Sequence, residues 1–460
     1  MTPIRRAALS TALLLSFGRC LFAQASATVS GTINDQSGAG IPAAAVTLQE
    51  KQTDSTRETV TDGSGRYQFS GLAAGDYSVR VAKTGFRDEV RSGIQLAVSQ
   101  DARIDFTLQL GPANQEITVN ADAPIVSTAA ADISGLVGEH QIKDLPLNGR
   151  SYDELLTLNP GVVNFTSAKT GGVGVSNSTA GNNFAVNGNR PQQNFFLLNG
   201  VEFTGAAENN MQPGGVSQQL LGVDAVREFN LLRDSYDAEY GKHPGAQVLI
   251  VTQSGSNQVH GSVYDFLRNN KLDARNFFDG PSAPGFQRNQ FGASLSGPLK
   301  KNSTFLFGNF EELRQNLHQT GVDLVPDTNA RNGFLPCKIV TPAPNPCPGS
   351  GLFFVGMSPL INAWPTPTPG APDFGGISEA YNDPLQTIRD DFGTVRLDHN
   401  FSQRDFLNVA YTVDDSAANT PTSTNLYSTD VESLREQVAS AEETHVFSPS
   451  LLNVARVGYS

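Results

Sequence analysis

The stretch from Asn183 to Phe203 decides the fold, and it reads N-F-A-V-N-G-N-R-P-Q-Q-N-F-F-L-L-N-G-V-E-F. Two short apolar runs, Phe184–Val186 and Phe195–Leu198, are each followed by Asn-Gly. A type I′ turn needs positive φ at both central residues, which Asn and Gly tolerate best. The sequence therefore predicts tight hairpins at Asn187-Gly188 and Asn199-Gly200 in a small β-rich domain.

Composition supports a mainly β chain of several domains. The 460 residues are enough for two to four domains. The 44 Gly and 26 Pro, against 1 Trp and 3 Met, are typical of many turns and short strands rather than a helical core. The formal charge of −13 disfavours a nucleic-acid partner, because no basic stripe is present to neutralise phosphates.

The first residues have the pattern of a secretory leader. Arg5 and Arg6 precede an apolar run over 7–17, and Ala23-Gln24-Ala25 provides a small-residue cleavage site. The run is too short for a membrane-spanning helix. We therefore expect a signal peptide over residues 1–25, with cleavage between Ala25 and Ser26.

Two cysteines, Cys337 and Cys347, follow the leader. An even number at short spacing in an exported chain predicts one disulfide within a loop. A metal pair is the alternative, but it would need further Cys or His nearby, and the sequence supplies none.

Residues 26–111 have the period-two pattern of a small β-sandwich. Tyr77, Val79 and Val81 alternate with polar residues, and a second alternating run begins at Ile104. Asp62-Gly-Ser-Gly65 has the composition of a calcium loop, but a tight turn explains it without an ion.

From residue 257 the chain reads as long strands joined by alternately short and long connections. Short joins on one side and long loops on the other are the topology of an outer-membrane barrel, although soluble β-meanders also alternate. Leu407, Val409, Tyr411 and Val413 would face lipid, while Asn408 and Thr412 would face the lumen. The predicted strands lie near 257–267, 288–297, 303–314, 389–400, 405–415, 434–447 and 451–460.

Three segments flank the opening stretch: I-K-D-L-P-L-N-G-R over Ile142–Arg150, L-N-P-G-V over Leu158–Val162, and Ala246–Asn257. Together these segments resemble the plug domain of the TonB-dependent outer-membrane receptors, more closely the Oar-like subgroup. Residues 26–111 resemble the carboxypeptidase regulatory-like domain, a carbohydrate-binding-like fold. Sugar binding by that module is only a fold-level analogy.

The resemblance implies a mainly β fold: an N-terminal β-sandwich, a small α+β plug domain over 125–254, and the first strands of an incomplete transmembrane β-barrel over 255–460. Closed transporters use about 22 strands, so we expect this chain to be a fragment or a truncated product. Within the plug we expect short helices at Glu139–Leu145 and Tyr152–Leu158. A helical turn at Val223–Phe229 and a last strand at Gln247–Thr252 would follow.

The linker over residues 112–124 contains Glu116, Ile117, Thr118 and Val119, which are similar to the family's TonB box. Such an extended segment pairs with the periplasmic energising protein by strand addition. An ordinary domain-joining strand is the alternative.

The resemblance implies energised uptake of an extracellular ligand, of the siderophore or glycan kind, across the outer membrane of a Gram-negative bacterium. The sandwich would be periplasmic, and the partners would be a TonB-type energising protein and outer-membrane lipid. We expect Arg150, Arg190 and Asn199 to be structural, the arginines pairing with plug or barrel-wall carboxylates. The alternatives are a non-transporting adhesion or envelope-organising protein and a carbohydrate-binding surface protein.

Catalytic signals are weak. The six histidines are scattered, and the sequence contains no H-E-x-x-H, P-loop or G-x-S-x-G motif. We therefore expect no enzyme, no cofactor and no metal site.

Overall fold

The computed structural model describes most of the chain, and the part described is dominated by strands. No helix among the described residues is long and apolar enough to cross a membrane. The described residues are 26–111, 116–120, 133–164, 182–203, 213–217, 219–236, 240–275, 283–318, 321–332, 358–421, 429–448 and 451–460.

The first unit is the predicted β-sandwich. One sheet has the strand order β3-β2-β5-β6-β9, and the other has the order β4-β1-β7, with β8 also pairing with β1. Their alternating apolar side chains meet in one core that includes Val29, Val46, Val79 and Phe106. The strands are β1 Ala27–Asp35, β2 Ala45–Glu50, β3 Thr56–Val60, β4 Arg66–Leu72, β5 Gly75–Ala82, β6 Asp88–Leu96, β7 Asp101–Arg103, β8 Phe106–Leu108 and β9 Glu116–Asn120.

The second unit, here called the plug, consists of the described residues between 133 and 254. Its strands are β10 Ile133–Val137, β11 Val162–Asn164, β12 Phe184–Val186, β13 Phe195–Leu198, β14 Val201–Glu202, β15 Val226–Asp234 and β16 Gln247–Thr252. The main sheet has the order β10-β15-β16-β13-β14, and β11 pairs with β12. Helix α1 spans Glu139–Asp144, and 3-10 turns span Asn148–Arg150, Tyr152–Leu158 and Pro191–Gln193.

Both predicted Asn-Gly hairpin turns are confirmed. Asn187 and Gly188 have φ of 50° and 80°, and Asn199 and Gly200 have φ of 49° and 77°. The first turn brings Val186 opposite Asn189, and the second joins β13 to β14. Local turn chemistry therefore sets the strand register in the plug.

The helical turn predicted at Val223–Phe229 is wrong. After a short turn in which the Ala225 N–H donates to Gly222 O at 2.8 Å, strand β15 begins at Val226. Strand β15 lies between β10 and β16 and is buried on both faces. A strand buried on both faces has a continuous apolar run, which periodicity alone does not separate from a buried helix.

The third unit is an open sheet of seven antiparallel strands in chain order, here called the barrel sheet. All seven predicted strands are confirmed. They are β17 His260–Asn269, β18 Phe286–Lys300, β19 Thr304–His318, β22 Leu385–Asn400, β23 Asp405–Pro421, β24 Thr429–Ser448 and β25 Leu451–Tyr459.

The long connection between β19 and β22 contains structure that the sequence did not predict. Strands β20 Gly321–Pro326 and β21 Ile377–Asn382 pair as an antiparallel hairpin. Short helices α2 Thr328–Arg331 and α3 Ser358–Asn362 lie between them in the chain, and a 3-10 turn at Asn270–Leu272 follows β17.

The two faces of the barrel sheet differ as the alternation predicts. On β23, Val409 and Tyr411 are 39 % and 38 % exposed, whereas Ala410 and Thr412 are buried. The outer face therefore carries apolar side chains suited to lipid, and the inner face contacts the plug.

Candidate functional site

The interface between the plug and the inner face of the barrel sheet is the candidate functional site. An apolar cluster forms the centre of this interface. In it, three plug residues pack against the barrel sheet, here also called the wall. The plug residues are Val216, Leu221 and Ala225, and the wall residues are Phe307 and Phe392. Burial of these side chains anchors the plug without directional contacts. Polar groups around this cluster give the interface its geometry.

Arg150 is the main charged contact between plug and wall. It follows Gly149 in a tight turn and itself has a φ of 55°. Its Nη2 donates to Asp224 Oδ2 at 3.0 Å, and its Nε donates to Glu311 Oε1 at 3.3 Å. Its guanidinium also lies 4.0 Å from the centre of the Tyr264 ring. Arg150 thus pairs with a plug carboxylate and a barrel-wall carboxylate, as expected.

Glu311, on strand β19, is the barrel-wall partner of Arg150, and its side chain is fully buried. Its Oε2 accepts from the Gly222 N–H at 3.0 Å, and its Oε1 accepts from Gln290 Nε2 at 2.8 Å. Gln290 Nε2 also donates to the Gly149 carbonyl at 2.9 Å. A buried carboxylate needs this many partners, because an unpaired charge away from water is costly.

A second polar contact lies where the Asn199-Gly200 turn meets the wall. Asn199 Oδ1 accepts from the Thr252 N–H at 3.1 Å, which fixes the hairpin to the end of β16. Arg396 of the wall donates to the Thr252 carbonyl at 3.1 Å and pairs with Asp398. Asn199 therefore has the structural role predicted for it.

Arg190 has a different local role from the one expected. Its backbone N–H donates to Gln193 Oε1 at 3.1 Å at the start of a 3-10 turn. Among the ion pairs of the described residues, none involves Arg190. The carboxylate pairing predicted for this side chain is therefore not observed.

The TonB-box-like residues Glu116, Ile117, Thr118 and Val119 lie in strand β9. This strand pairs in parallel with β6, so that Glu116 lies opposite Asp88 and Asn120 opposite Ser92. Strand β9 is the last in its sheet. One of its backbone edges is therefore bonded to the sandwich, and no described strand pairs with the other.

The sandwich is docked onto the plug by the loop between β6 and β7. Val98 is 1 % exposed and packs into a plug cluster with Phe195, Leu232 and Tyr240. Its N–H donates to the Glu228 carboxylate, and the Tyr240 hydroxyl donates to Ser99 Oγ at 3.0 Å. Burial is the main reason that the pKa of Glu228 is raised.

The sandwich also contacts the segment just before β17 and the short connection between β22 and β23. The Asn257 N–H donates to Gln52 O at 2.9 Å, and Gln403 Nε2 donates to Thr56 Oγ1 at 3.2 Å. Arg57 lies 5.6 Å from the centre of the Phe406 ring. These contacts place the sandwich at the end of the barrel sheet that carries the short turns.

Sandwich, plug and wall together enclose a cavity of about 160 Å³. Charged groups from all three units line it, among them Glu50, Arg227, Arg396 and Arg456. Burial raises the pKa of Glu50, against the opposing hydrogen bond from Thr53. Apolar side chains such as Phe305 and Phe406 line it as well, so the cavity has a mixed polar and apolar lining.

The Asp62 loop is a turn, as interpreted from the sequence. Asp62 Oδ1 accepts from the N–H groups of Ser64 at 2.8 Å and Arg66 at 2.9 Å. The bond from Arg66 is the largest cause that lowers the pKa of Asp62. These bonds satisfy the carboxylate without an ion.

One group of the described residues has the composition of a metal site, namely Asp405, Glu443 and His445. It lies at the start of β23 and the end of β24. His445 Nδ1 contacts Asp405 Oδ1, and Ser402 Oγ donates to Asp405 Oδ2 at 2.7 Å. Both oxygens of Asp405 thus have partners within the protein.

Two predictions concern residues outside the described part of the chain. Cys337 and Cys347, the expected disulfide, both lie there. Ala25, on one side of the expected cleavage site, also lies outside, whereas Ser26 is the first described residue. Both remain predictions.

Sequence reasoning did not identify Asp224 and Glu311 as the partners of Arg150. A signal for Glu311 is present, because it occupies the same face of β19 as the buried Phe305 and Phe307. A carboxylate at an inward position opposite a plug needs a buried partner. The signal for Asp224 is weaker, since it lies in a loop.

Comparisons with known proteins match the first and third of these units. Residues 251–460 match the family described as outer membrane beta barrel domain, and residues 28–109 match the carboxypeptidase regulatory-like domain. The TonB-dependent transporter Oar of Myxococcus xanthus is 26 % identical over 324 residues. That alignment covers 67 % of this chain and 28 % of the relative, so the chain spans less than a third of the relative's length.

Among solved structures, the outer membrane transporter YddB of Escherichia coli has 14 % identity and a TM-score of 0.46, over 71 % of this chain and 38 % of that one. A ferric enterobactin receptor of Pseudomonas aeruginosa has 14 % identity and a TM-score of 0.43, over 72 % and 41 %.

The two matched domains lie in the order that the sequence predicts, on either side of the plug. An outer membrane beta barrel domain crosses the outer membrane with its strands. The chain is therefore an outer-membrane protein related to the TonB-dependent receptors of the Oar-like subgroup, with a carboxypeptidase regulatory-like domain before its plug and barrel strands.

Proposed function

We propose that this chain is the N-terminal part of a TonB-dependent receptor that takes up an extracellular ligand across the outer membrane. The observation that carries the proposal is strand β9 between sandwich and plug, with one backbone edge available for pairing. An energising protein recognises such an edge by strand addition. We propose no catalytic role.

We further propose the domain limits 1–25 for the signal peptide, 26–111 for the sandwich, 112–124 for the linker, 125–254 for the plug and 255–460 for the barrel part. The sandwich contacts the short connection at 401–404. Outer-membrane barrels have their short turns on the periplasmic side. This supports a periplasmic sandwich, on the side where an energising protein would reach β9.

In this proposal Glu116–Val119 contacts a TonB-type energising protein, and a pull on this segment is transmitted to the plug that follows it in the chain. The buried Arg150–Glu311 pair then resists plug movement until force is applied. The ligand would be a siderophore, a glycan or a similar molecule bound at the long loops, where the expected Cys337–Cys347 disulfide lies.

Proline substitution in β9 tests energised transport. Ile117→Pro or Val119→Pro in the full-length gene product would remove a backbone donor and prevent strand addition. We expect either variant to reproduce the growth defect of a gene deletion, whereas Ile117→Val keeps wild-type growth.

Wild-type growth of the proline variants, with normal amounts of protein in the outer membrane, would contradict energised transport. That result would favour the alternative, a non-transporting adhesion or envelope-organising protein. Binding of glycans by the purified protein, unaffected by these substitutions, would instead favour a carbohydrate-binding surface protein.

A further inference from the structure

Three carboxylates on adjacent strands face the plug from the inner face of the barrel sheet. They are Asp390 on β22, Asp414 on β23 and Glu436 on β24, here called the acidic cluster. Asp414 lies opposite Glu436, and Asp390 lies opposite Ser416, two residues along β23. Asp390 is 0 % and Asp414 3 % exposed, so these charges are shielded from water.

The acidic cluster has no countercharge of its own. Arg389 and Arg435 lie on the outer face of these strands, where both pair with Asp415, and the inward-facing Arg396 pairs with Asp398. Among the ion pairs of the described residues, none joins a lysine, arginine or histidine to a member of the cluster. Buried charges without a countercharge strongly destabilise a protein.

Hydrogen bonds satisfy only part of the acidic cluster. Ser217 Oγ donates to Asp390 Oδ2 at 2.5 Å, and the Gly214 N–H donates to Glu436. Asp390 Oδ1 and both carboxylate oxygens of Asp414 are buried and receive no donor. Asp390 and Asp414 also lie within hydrogen-bonding reach of each other. Two ionised carboxylates are both acceptors, so this contact is favourable only with a cation or a proton between them.

A plug loop, residues 213–217, closes the site from the other side. The Val216 N–H donates to Ser416 Oγ at 2.9 Å. A Cβ on Gly215 would lie 2.4 Å from Asp390 Oδ2 and 2.8 Å from Ser416 Oγ, so only glycine fits this position. The groups that line the site are carboxylates and serine hydroxyls. Hard oxygen donors of this kind are the ligands that calcium prefers.

We propose that Asp390 and Asp414 of the acidic cluster bind a divalent cation of the calcium class, which ties the plug loop at residues 213–217 to the barrel wall. A single proton would neutralise one of these two carboxylates, whereas a divalent ion neutralises both charges and gives the unpaired oxygens of Asp390 and Asp414 a partner. The site is independent of energised transport, since it concerns how the plug is held in place.

Terbium luminescence on the purified full-length gene product tests this site, with Tb³⁺ as the probe for calcium. Tyr152 lies beside the cluster, because Asp414 and Glu436 are among the groups that raise its pKa. We expect sensitised Tb³⁺ emission that Ca²⁺ displaces, and an affinity at least about tenfold weaker in Asp414→Asn. Asp415→Asn, the next residue on the outer face, is the matched control and keeps wild-type affinity.

Thermal unfolding gives a second reading that does not depend on luminescence. We expect Ca²⁺ to raise the Tm of the wild type relative to EDTA, and to leave Asp414→Asn unchanged. In EDTA, Asp414→Asn should be more stable than the wild type, because the substitution removes the repulsion between Asp390 and Asp414. If Asp414→Asn does not fold, Asp390→Asn provides the same comparison.

Two results would overturn the proposal. Equal Ca²⁺ responses in the wild type, Asp414→Asn and Asp415→Asn would place the ion elsewhere. A wild type indifferent to Ca²⁺, but stabilised by acid in a way that Asp414→Asn is not, would show a proton shared between the carboxylates in place of a cation.

Discussion

Arg150 forms an ion pair that joins the plug to the wall. Replacing it with alanine leaves Glu311 fully buried and without its charge partner. Removing one partner of a buried pair typically costs about 3–5 kcal/mol. We therefore expect Arg150→Ala to speed hydrogen exchange of the plug amides, measured by mass spectrometry on the peptides that contain β10 and β15.

Arg103→Ala is the matched control for this substitution. Arg103 pairs with Asp105 on the surface of the sandwich, where the two side chains are 64 % and 47 % exposed. Exposed pairs contribute about 0–1 kcal/mol. Equal hydrogen-exchange rates of the plug amides in Arg150→Ala and Arg103→Ala would mean that the Arg150–Glu311 pair does not hold the plug in place.

Asp153 makes the stability of the plug depend on pH. Burial raises the pKa of Asp153 from 3.8 to about 6, although Ser151 and Asn182 donate to its carboxylate. The folded plug therefore holds a proton that the unfolded chain has lost, and stability falls as pH rises from about 4 to 6. The loss is roughly 3 kcal/mol from the size of the pKa difference.

We expect Asp153→Asn to remove most of this pH dependence, measured as plug hydrogen exchange, corrected for intrinsic rates, between pH 4 and 8. Asp144→Asn is the control, because the Asp144 side chain on α1 is 77 % exposed. A pH profile of Asp153→Asn that matches the wild type would show that another group titrates.

At the residue scale, the sequence predicted the turns that neighbouring residues form. It did not predict the contacts between residues that are far apart in the chain. The Asn-Gly turns at 187–188 and 199–200 were predictable, because positive φ is a property of the residues themselves. The partners of Arg150 were not, because Asp224 and Glu311 are 74 and 161 residues away along the chain. Only the packing of the plug against the wall brings them together.

Among the elements, the two hairpins provide a matched pair of glycines. Gly188 and Gly200 have nearly equal φ, 80° and 77°. A Cβ on Gly188 meets nothing within 4 Å, whereas one on Gly200 would lie 2.1 Å from Arg456 Nη1. Arg456 also pairs with Glu442 in the wall.

We expect Gly188→Ala to cost about 1–2 kcal/mol from backbone strain alone. Gly200→Ala should cost more, because it also displaces the Arg456 side chain from Glu442. Chemical denaturation and hydrogen exchange at β24 and β25 would measure this difference. Equal losses in the two variants would mean that the contact between Arg456 and the turn contributes nothing.

Elements with a clear period were predictable, and those defined by pairing partners were not. The strands of the barrel sheet alternate over many residues, so that sequence alone predicted all seven. Strand β15 was missed because it is buried on both faces. The β20–β21 hairpin was missed because it lies within a long connection that contains Gly- and Pro-rich segments.

At the scale of the whole molecule, the sequence did not predict that the sandwich docks onto the plug. Glu228→Ala would leave the Val98 N–H buried without an acceptor, at a cost of about 1–3 kcal/mol. We expect faster hydrogen exchange over residues 97–100 in this variant. Glu202→Ala is the control, since Glu202 pairs with the exposed Lys242 rather than with a residue of the sandwich. Unchanged exchange in Glu228→Ala would show that apolar packing of Val98 alone holds the loop.

The contact between Val98 and Glu228 could not be predicted, because neither residue belongs to a distinctive sequence pattern. Val98 is a single apolar residue in a loop, and Glu228 belongs to a strand that was itself predicted as helix. Domain order and fold class followed from sequence, whereas the relative placement of sandwich, plug and wall depends on side chains far apart in the chain.

Cross-linking of β9 in living cells tests the central claim, energised uptake through the TonB-box-like segment, most directly. A photo-reactive amino acid in place of Ile117 in the full-length gene product would report the neighbours of this strand. We predict a cross-link to the periplasmic energising protein, weakened at least about tenfold by Val119→Pro, which disrupts strand pairing. Cross-links confined to the sandwich strand β6, in cells that contain the energising protein, would contradict the account.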